Sequence, residues 1–176
     1  MLKGNRVILR SVEKRDLNIY YEIWSDEEVR KYDSGFTIVP SREYILENFT
    51  KVMNSPRKHL SIVNEKGVLI GYISYEMIKE CKNVFDIGIS IGKDFRSRGY
   101  GKDSIKTLIK FLFLSCAAER VELKVAFDNS RGIKCYEACG FIEEGKLRNR
   151  FFSEGIYKDL IIMGITKEDF HKFYNL

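Results

Sequence analysis

A basic, glycine-rich turn is the part of this sequence whose residue types and spacing most clearly indicate chemistry. It runs Arg96-Ser97-Arg98-Gly99-Tyr100-Gly101, follows a strand-like segment at Val84–Ile91 and leads directly into a helical pattern. The first N–H groups of a helix lack intrahelical partners, and the helix dipole adds partial positive charge there. Glycine lets the backbone approach a ligand closely. The turn therefore predicts a site for an anion, with Arg96 and Arg98 as mobile positive charges beside it.

Three other interpretations of the glycine turn are a dinucleotide-binding motif, a phosphate loop and a turn without a ligand. A dinucleotide fold requires GxGxxG, whereas the third position here is Ser104 and an antiparallel meander precedes the turn. A phosphate loop of the Walker type requires GxxxxGK[ST], whereas Gly101-Lys102 is followed by Asp103. A tight turn without any ligand also stays open, because glycine is common in loops. Alone, the turn indicates phosphate binding and no more.

The charge distribution agrees with a phosphorylated small molecule as the ligand. The net charge of +5 comes from 30 basic and 25 acidic residues, but six of the basic ones fall between Lys93 and Lys110. Such a stretch can attract any polyanion, including nucleic acid. It lacks the interleaved aromatic residues that stack on bases, so nucleic acid is the weaker hypothesis. Six acidic residues between Glu13 and Glu28 would suit a cationic substrate, although a solvated helix face explains them equally simply.

Apolar periodicity predicts the elements that position this turn. Their order is β-α-α-β-β-β-α-β-α-β-β, which means an α/β (α+β) fold with a mixed, mostly antiparallel central sheet flanked by helices. The predicted segments are a strand at Arg6–Arg10, helices from Ser11 and Ser41 divided at Pro40, strands at Leu60–Asn64, Val68–Ile78 and Val84–Ile91, a helix after Gly101, a strand at Val121–Phe127, a helix from Arg131 to Gly140, and a hairpin of Leu147–Phe152 with Ile156–Ile165.

Length and composition predict one folded domain without a metal. The chain has 176 residues, 44% of them hydrophobic, and we expect a single domain over residues 1–176 with its core at about 6–166. No apolar signal region begins the sequence, and the apolar run Leu108–Ala118 is too short to cross a membrane, so we expect a cytoplasmic protein. Four cysteines without a CxxC pair predict reduced thiols that fill gaps in the core.

Two motifs resemble those of a known family, the GNAT superfamily of N-acetyltransferases. The turn resembles its [Arg/Gln]-x-x-Gly-x-[Gly/Ala] motif. The series Asn129, Tyr136 and Gly140-Phe141 resembles its Asn-x-x-Ala-x-x-x-Tyr-x-x-x-Gly-Phe signature, although Gly132 stands where the family usually has a small Ala or Ser. The closing segment Phe151–Asp159 resembles the ribosomal-protein and spermidine N-acetyltransferase branches. The predicted order of elements is also similar to that of the family.

The resemblance implies acetyl-CoA as cosubstrate and an amine as acceptor. In the family a bulge splays Val84–Ile91 from Val121–Phe127, the pantetheine arm fits the gap, and the strand backbone helps to polarise the thioester carbonyl. Asn129 corresponds to a residue whose amide holds this arm, although its position also demands a helix cap, and both roles can coexist. The residues implied in cofactor binding are Ile89, Ser90, Ile91, Arg96, Ser97, Arg98, Gly99, Tyr100, Gly101, Lys102, Asn129 and Arg131.

Two residues carry the proton transfers that the resemblance implies. Tyr136 is the candidate general acid, because a phenol of pKa about 10 stays protonated at neutral pH and can donate to a thiolate whose acid has a pKa of about 8.5. Asp86 lies where related enzymes place an acid that draws the amine proton through water. The alternatives are a tyrosine that only packs in the core and an aspartate solvated at a strand edge.

The acceptor and the assembly stay open at this level. Direct attack by a primary amine, from a protein N-terminus or a small molecule, is the main hypothesis; spermidine or another polyamine is the alternative, and a non-catalytic acyl-CoA-binding module is a hypothesis of another class. Homo-oligomers, dimers or larger, occur among similar proteins. Positions that would suit the walls of an acceptor site are Trp24, Asp26, Glu27, Glu28, Tyr32, Tyr72, Tyr75 and Phe151.

Overall fold

A computed structural model describes residues 1–32, 39 and 41–175 without the side chain of Val52, and in this part eight strands form one sheet. Pro40, the predicted break between two helices, lies outside the described residues. The strands are β1 Leu2–Lys3, β2 Val7–Ser11, β3 Lys58–Asn64, β4 Leu69–Met77, β5 Val84–Ile91, β6 Arg120–Ala126, β7 Ile142–Ser153 and β8 Ile156–Thr166. Their order in the sheet is β1-β2-β3-β4-β5-β6-β8-β7, and every neighbouring pair is antiparallel except β5 with β6.

Helices flank this sheet, in agreement with the predicted fold class. They are α1 Leu17–Ser25, α2 Glu27–Tyr32, α3 Arg42–Glu47, α4 Phe49–Met53, α5 Tyr100–Ser115, α6 Ser130–Glu137 and α7 Lys167–Tyr174. The predicted order of elements is confirmed from β2 to β8, apart from the number of helices between β2 and β3, and β5 has the predicted bounds. The short strand β1 was not predicted. The helix α7 was not predicted, although its sequence carries a cap: the Thr166 side chain accepts from the Asp169 N–H and the Asp169 carboxylate accepts from the Thr166 N–H.

Helices α1 to α4 stand where the sequence predicts two longer ones. The first predicted helix is divided into α1 and α2 at Asp26. The backbone of Asp26 is extended, which ends α1, and its carboxylate accepts a hydrogen bond from the N–H of Val29 at 3.1 Å, which caps the start of α2. The last hairpin also differs, since β7 begins at Ile142 and not at Leu147. Most of β7 is exposed at the sheet edge, so burial imposes no apolar alternation on its first residues.

The two faces of the sheet pack against different helices. On one face the fully buried side chains of Leu9, Ile62 and Ile73 belong to the same core as Leu108 and Leu112 of α5. On the other face Tyr72 packs with side chains of α1 in a separate cluster. No helix in the ranges 1–32 and 41–175 is both long and apolar enough to cross a membrane.

The parallel pair β5 and β6 separates after a short contact. Val84 to Asp86 pair with Arg120 to Glu122, and the pairing stops there. The expected splay is therefore seen, but the expected bulge in β5 is wrong, because its register with β4 runs from Gly71↔Ile91 to Met77↔Phe85 without a shift. The gap opens without an extra residue, since β6 stays paired along its length with β8 while β5 stays paired with β4.

A buried ion pair joins the start of α1 to the sheet. The Asp16 carboxylate accepts two hydrogen bonds from the Arg10 guanidinium, at 2.6 and 2.8 Å, and one from the Ser61 hydroxyl at 2.7 Å. The N–H of Glu13 donates a further bond at 2.9 Å. Burial by itself would raise the pKa of Asp16, but the hydrogen bonds from Arg10, Glu13 and Ser61 outweigh it and lower that pKa.

Replacing this carboxylate is expected to destabilise the fold. Asp16→Ala removes the two short bonds of the half-buried Arg10 and leaves it with the carbonyl of Ser11 and the more distant Glu13, and we expect the free energy of unfolding at pH 7 to fall by about 3 kcal/mol in urea denaturation. Asp94→Ala, at an exposed position, is the control and should change it by less than about 0.5 kcal/mol. Because the folded pKa of Asp16 is lowered, its contribution is present above the unfolded value of about 3.9 and is lost as the pH falls through the folded pKa. Equal stabilities of wild type and Asp16→Ala at pH 7 would contradict this account.

Candidate functional site

A long cleft passes through the gap between β5 and β6. Its volume is about 1250 Å³, above the roughly 300–1,000 Å³ of ordinary small-molecule sites. We call the part bounded by the turn and by α6 the turn end; its residues are Ser97, Gly99, Gly101, Lys102, Asn129, Arg131 and Cys135. We call the part over the polar face of β3 to β5 the sheet end; its residues are Arg57, His59, Ser74, Glu76 and Asp86.

The backbone of the turn has the conformation that an anion site requires. Ser97 and Gly99 both adopt left-handed conformations, with φ of 58° and 85°, and Gly99 is the residue immediately before α5. Left-handed residues in a tight turn direct successive N–H groups to one side, which favours an anion there. The dipole of the sixteen-residue α5 adds to this effect.

Two side chains that the sequence analysis missed hold the turn in place. The Arg6 guanidinium donates to the carbonyl of Arg98 at 2.6 Å and lies 4.4 Å from the ring centroid of Tyr100. The Asp103 carboxylate accepts from the backbone N–H groups of Asn5, Arg6 and Val7 at 3.1, 2.7 and 3.1 Å. No local pattern indicates these contacts, because Arg6 and Asp103 are 97 residues apart in the sequence.

Arg96 is a fixed side chain, so the expectation that it supplies mobile charge is wrong. Only 11% of its side chain is exposed. Its guanidinium donates to Asp26 at 2.8 Å, to Glu28 at 2.6 Å and to the carbonyl of Ile91 at 3.0 Å. Arg131 also pairs with Glu28, at 2.6 Å. These contacts tie α2 to the end of β5 and to α6. The side chains of Arg98 and Lys102, in contrast, are exposed beside the turn.

The residues expected to meet the middle of the cofactor lie along the gap. Ile89, Ser90 and Ile91 are half-buried and line the cleft, and their edge of β5 lies beyond the last pairing with β6 at Asp86. Asn129 caps α6, because its side-chain oxygen accepts from the N–H of Gly132 at 2.9 Å. A Cβ at position 132 would lie 2.8 Å from the Asn129 amide nitrogen, which gives this departure from the family pattern a structural reason.

Tyr136 lines the cleft next to Cys135 of the turn end and within electrostatic range of Asp86 of the sheet end. Its side chain is buried, with a residual exposure of 9%, and it packs edge-on against Phe141 at 6.0 Å. Burial raises the pKa of Tyr136 well above its ordinary value, and the negative charges of Cys135 and Asp86 raise it further. The phenol is therefore protonated at neutral pH.

Asp86 is paired with a cation that the sequence analysis missed. Its carboxylate accepts a hydrogen bond from Arg57, whose guanidinium also donates to Ser74 at 3.0 Å and lies 3.5 Å from Glu76. Only 24% of the Asp86 side chain is exposed, so it is not a solvated edge residue. Arg57 precedes β3 in an irregular segment that carries no periodic pattern, and the contact with Asp86 spans 29 residues.

His59 is a second residue of the sheet end that the sequence analysis left out of the site. It lies opposite Ser74 in the register of β3 and β4 and is half-buried. Burial lowers the pKa of His59, and the positive charge of Arg57 lowers it further. The imidazole is therefore neutral at pH 7. The alternation of side chains along β3, which places His59 and Ser61 on one face, is the signal that would have indicated it.

The suggested walls of an acceptor site divide into two groups. Trp24, Glu28, Tyr32 and Tyr72 line the cleft, whereas Asp26, Glu27, Tyr75 and Phe151 do not. Trp24 donates from its indole to the Tyr72 hydroxyl at 2.9 Å. Tyr75 instead packs against Phe85 and Phe111 on the opposite face of the sheet.

Comparison with known proteins gives one family and one fold. The sequence profile of the acetyltransferase (GNAT) domain matches residues 6–142. The uncharacterized N-acetyltransferase p20 of Bacillus licheniformis is 27% identical over 173 residues, 96% of this chain and 97% of the relative. Spermidine N(1)-acetyltransferase of Vibrio cholerae is 23% identical over 169 residues, 95% and 96% of the two chains. The crystal structure of the Vibrio cholerae enzyme with CoA and spermine has the same fold, with a TM-score of 0.85 at 23% identity over 93% of this chain and 97% of that one.

The geometry of the turn end predicts which cation attracts a phosphorylated ligand. Arg98→Glu reverses an exposed charge beside the turn, and we expect it to weaken CoA binding about tenfold in isothermal titration calorimetry, since bonds to charged groups contribute about 1.5–3 kcal/mol. The loss should shrink at high salt, because ions screen exposed charges. Lys82→Glu makes the same change of charge at the exposed turn between β4 and β5 and should leave the affinity within about twofold. Equal losses in the two variants would refute a local role for Arg98.

Proposed function

Because the chain belongs to the GNAT acetyltransferases, which take acetyl-CoA as the acetyl donor, we propose that it acetylates a small primary monoamine or a protein N-terminal amine by direct attack. The observation that carries this proposal is the position of Tyr136 in one continuous cleft, between a turn suited to phosphate and the carboxylates of the sheet end. The cytoplasmic location and the homo-oligomeric assembly expected from the sequence stay predictions.

The turn end is the proposed site for the phosphates and the pantetheine arm. Backbone N–H groups at the start of α5, together with the exposed Arg98 and Lys102, would bind the pyrophosphate. Asn129 would hold the arm with its amide, and the Ile89–Ile91 edge of β5, which faces the gap, would bind its backbone groups. When bound, acetyl-CoA supplies the activated acetyl thioester. Arg96 acts here by fixing the end of β5, through its bond to the carbonyl of Ile91.

Tyr136 is the proposed general acid. The burial that raises the pKa of this phenol keeps the proton on its oxygen at neutral pH, and the proton is then available to the departing thiolate. The ordinary pKa of a thiol, about 8.5, lies below that of the phenol, so complete transfer to the free thiolate is uphill. The phenol would therefore stabilise the charge that develops on sulfur while the C–S bond breaks, and a tyrosinate formed in this step would regain its proton from the one that the amine loses. Tyr136 lines the cleft next to Cys135 of the turn end and within electrostatic range of Asp86 of the sheet end, which suits this role.

Asp86 is the proposed acceptor of the amine proton, through water. Arg57 bonds to the Asp86 carboxylate on β5 and to Ser74 on β4, and these bonds fix the orientation of the carboxylate within the sheet end. His59 is a second group at the sheet end that can accept a proton, beside the carboxylate of Glu76, because burial and Arg57 keep it neutral at pH 7. An amine is mostly protonated at this pH, so the reaction requires one of these two acceptors or a water that they orient.

The charge of the sheet end favours an acceptor with a single ammonium group. Glu76 and Asp86 carry two negative charges, and Arg57 between them neutralises one. The remaining negative charge balances one ammonium, whereas a polyamine brings two or more. The exposed Lys79, Glu80 and Lys124 line the same cleft, and the one positive charge that remains among them would disfavour a second cation.

Spermidine is the runner-up acceptor. The two carboxylates of Glu76 and Asp86 would suit it if Arg57 turned away, and spermidine is the substrate that the name of the Vibrio cholerae relative gives for that protein. The two hypotheses differ in one respect only, the number of positive charges that the sheet end accepts. They are therefore separable by the choice of amine.

A panel of amines assayed by thiol release from acetyl-CoA tests the function. We expect the highest kcat/KM with a singly charged amine, taken from amino acids, peptide N-termini and monoamines, and lower values with spermidine, spermine and aminoglycosides. In Arg57→Gln the preference should move towards spermidine by about tenfold, because one countercharge is removed; Arg30→Gln, at an exposed position, is the control.

Two other results of this panel would contradict the proposed function. A highest kcat/KM with spermidine in the wild type would replace the monoamine by the runner-up. CoA binding without transfer to any amine would overturn the enzymatic proposal in favour of a non-catalytic acyl-CoA-binding module.

Substitution of the phenol tests the assignment of the acid. Tyr136→Phe removes only the hydroxyl, and we expect kcat to fall by about a hundred- to a thousandfold while the affinity for acetyl-CoA is kept. Tyr75→Phe removes a hydroxyl from the opposite face of the sheet and should leave kcat unchanged. Steady-state kinetics with the best amine of the panel measure both. An unchanged kcat in Tyr136→Phe would exclude this residue from proton transfer.

A further inference from the structure

Two thiols meet at the wall of the turn end, and the proposed acetyl transfer uses neither of them. Cys135 belongs to α6, and Cys139 follows four residues later, just beyond the end of that helix. The two thiols are close enough for each to shift the pKa of the other. Cys139 is fully buried, with its sulfur 3.6 Å from the carbonyl of Lys102, whereas Cys135 lines the cleft. Small molecules that enter the cleft can therefore reach Cys135 and not Cys139.

Cys135 faces the first turn of α5. A Cβ at Gly101 would lie 3.7 Å from its sulfur, so the thiol lies directly beside the glycine of the proposed phosphate site. Lys102 and Arg131 are the cations that act on it. A thiol near cations and a helix N-terminus has more thiolate, which is the form that reacts.

The surroundings of Cys135 favour its thiolate more than those of the other cysteines do. The neighbouring thiol of Cys139 lowers the pKa of Cys135, and the charges of Lys102 and Arg131 lower it further, against the opposing effect of burial. The neighbouring thiol of Cys135 and burial raise the pKa of Cys139. Burial also raises the pKa of Cys116, and Cys81 is an exposed residue outside the cleft.

We propose that Cys135 is a site of reversible thiol modification that excludes acetyl-CoA from the turn end. The co-reactant is a small-molecule disulfide. The Cys135 thiolate attacks one sulfur of it, a new S–S bond forms to that half, the old S–S bond breaks, and the other half leaves as a thiolate. A second exchange with a free thiol reverses the step.

The attached group would occupy space that the cofactor requires. It would lie beside Gly101 and Lys102 at the start of α5, where the proposed function places the phosphates, and the inference rests on that assignment. Occupancy by the cofactor and modification of Cys135 should then exclude each other. By linkage the exclusion works in both directions, so CoA should protect Cys135 to the extent that modification weakens CoA binding.

Labelling of the whole protein with an aromatic disulfide, 5,5′-dithiobis(2-nitrobenzoate), tests this inference. The release of the coloured thiolate gives the rate, and peptide mass spectrometry locates the adduct. We expect Cys135 to be modified first inside the cleft, and saturating CoA to slow its modification at least about tenfold. The labelled protein should bind CoA at least about tenfold more weakly in calorimetry, and dithiothreitol should restore the affinity.

Variants and separate readouts make the failures distinguishable. Cys135→Ser should lose the CoA-sensitive phase of labelling, and Cys81→Ser should keep it. If calorimetry shows CoA binding while CoA leaves the labelling of Cys135 unchanged, the inference is overturned and the proposed function stands. If the wild type binds no CoA at all, the proposed function fails and this inference fails with it.

Discussion

The separation of β5 from β6 after Asp86 is the constraint on which the rest of the structure depends. Two parallel strands that stayed paired would leave no room between α5 and α6 for a ligand. Here β6 follows β8 and β5 follows β4, so the sheet divides into two halves that are joined at one end only. The backbone groups that face the gap have no strand partner there, and buried backbone groups require one. The gap therefore provides the space for an extended polar ligand, and the backbone groups that face it can form hydrogen bonds with such a ligand.

Charged residues around the gap act mainly by fixing positions. Arg96 joins α2 to the end of β5, Arg131 joins α6 to α2, and Arg57 joins β4 to β5. A guanidinium held by two carboxylates contributes little free charge to a ligand, but it removes motion from the elements that it connects. In the proposed function, attraction of an anion then falls to the N-terminus of α5 and to the exposed Arg98 and Lys102, for which the described residues provide no carboxylate partner. Binding and positioning are divided between different basic residues.

Local features were predictable from the sequence and long-range ones were not. The helix that follows the glycine turn, the cap at Asn129 and the strand Val84–Ile91 depend on residues within a few positions of each other. The structure has all three, with the helix beginning at Tyr100, slightly earlier than predicted. The roles of Arg96 and Arg57 depend on carboxylates 68 and 29 residues away, which no periodicity indicates. The sequence alone does not distinguish a basic residue that contacts a ligand from a basic residue that forms an ion pair. Only the fold decides between them.

The short helix α6 brings several of these effects together at one place. Its first turn is capped by Asn129, its last turn carries Tyr136, and Cys135 lies between the phenol and the start of α5. The charges of Cys135 and Asp86 act on Tyr136 from two sides, and each opposes formation of a phenolate. The proton on the phenol is thus kept by burial and by its neighbours together. A change of charge at Cys135 would alter the pKa of Tyr136 as well as the surroundings of Gly101, because the thiol acts on the first and lies beside the second.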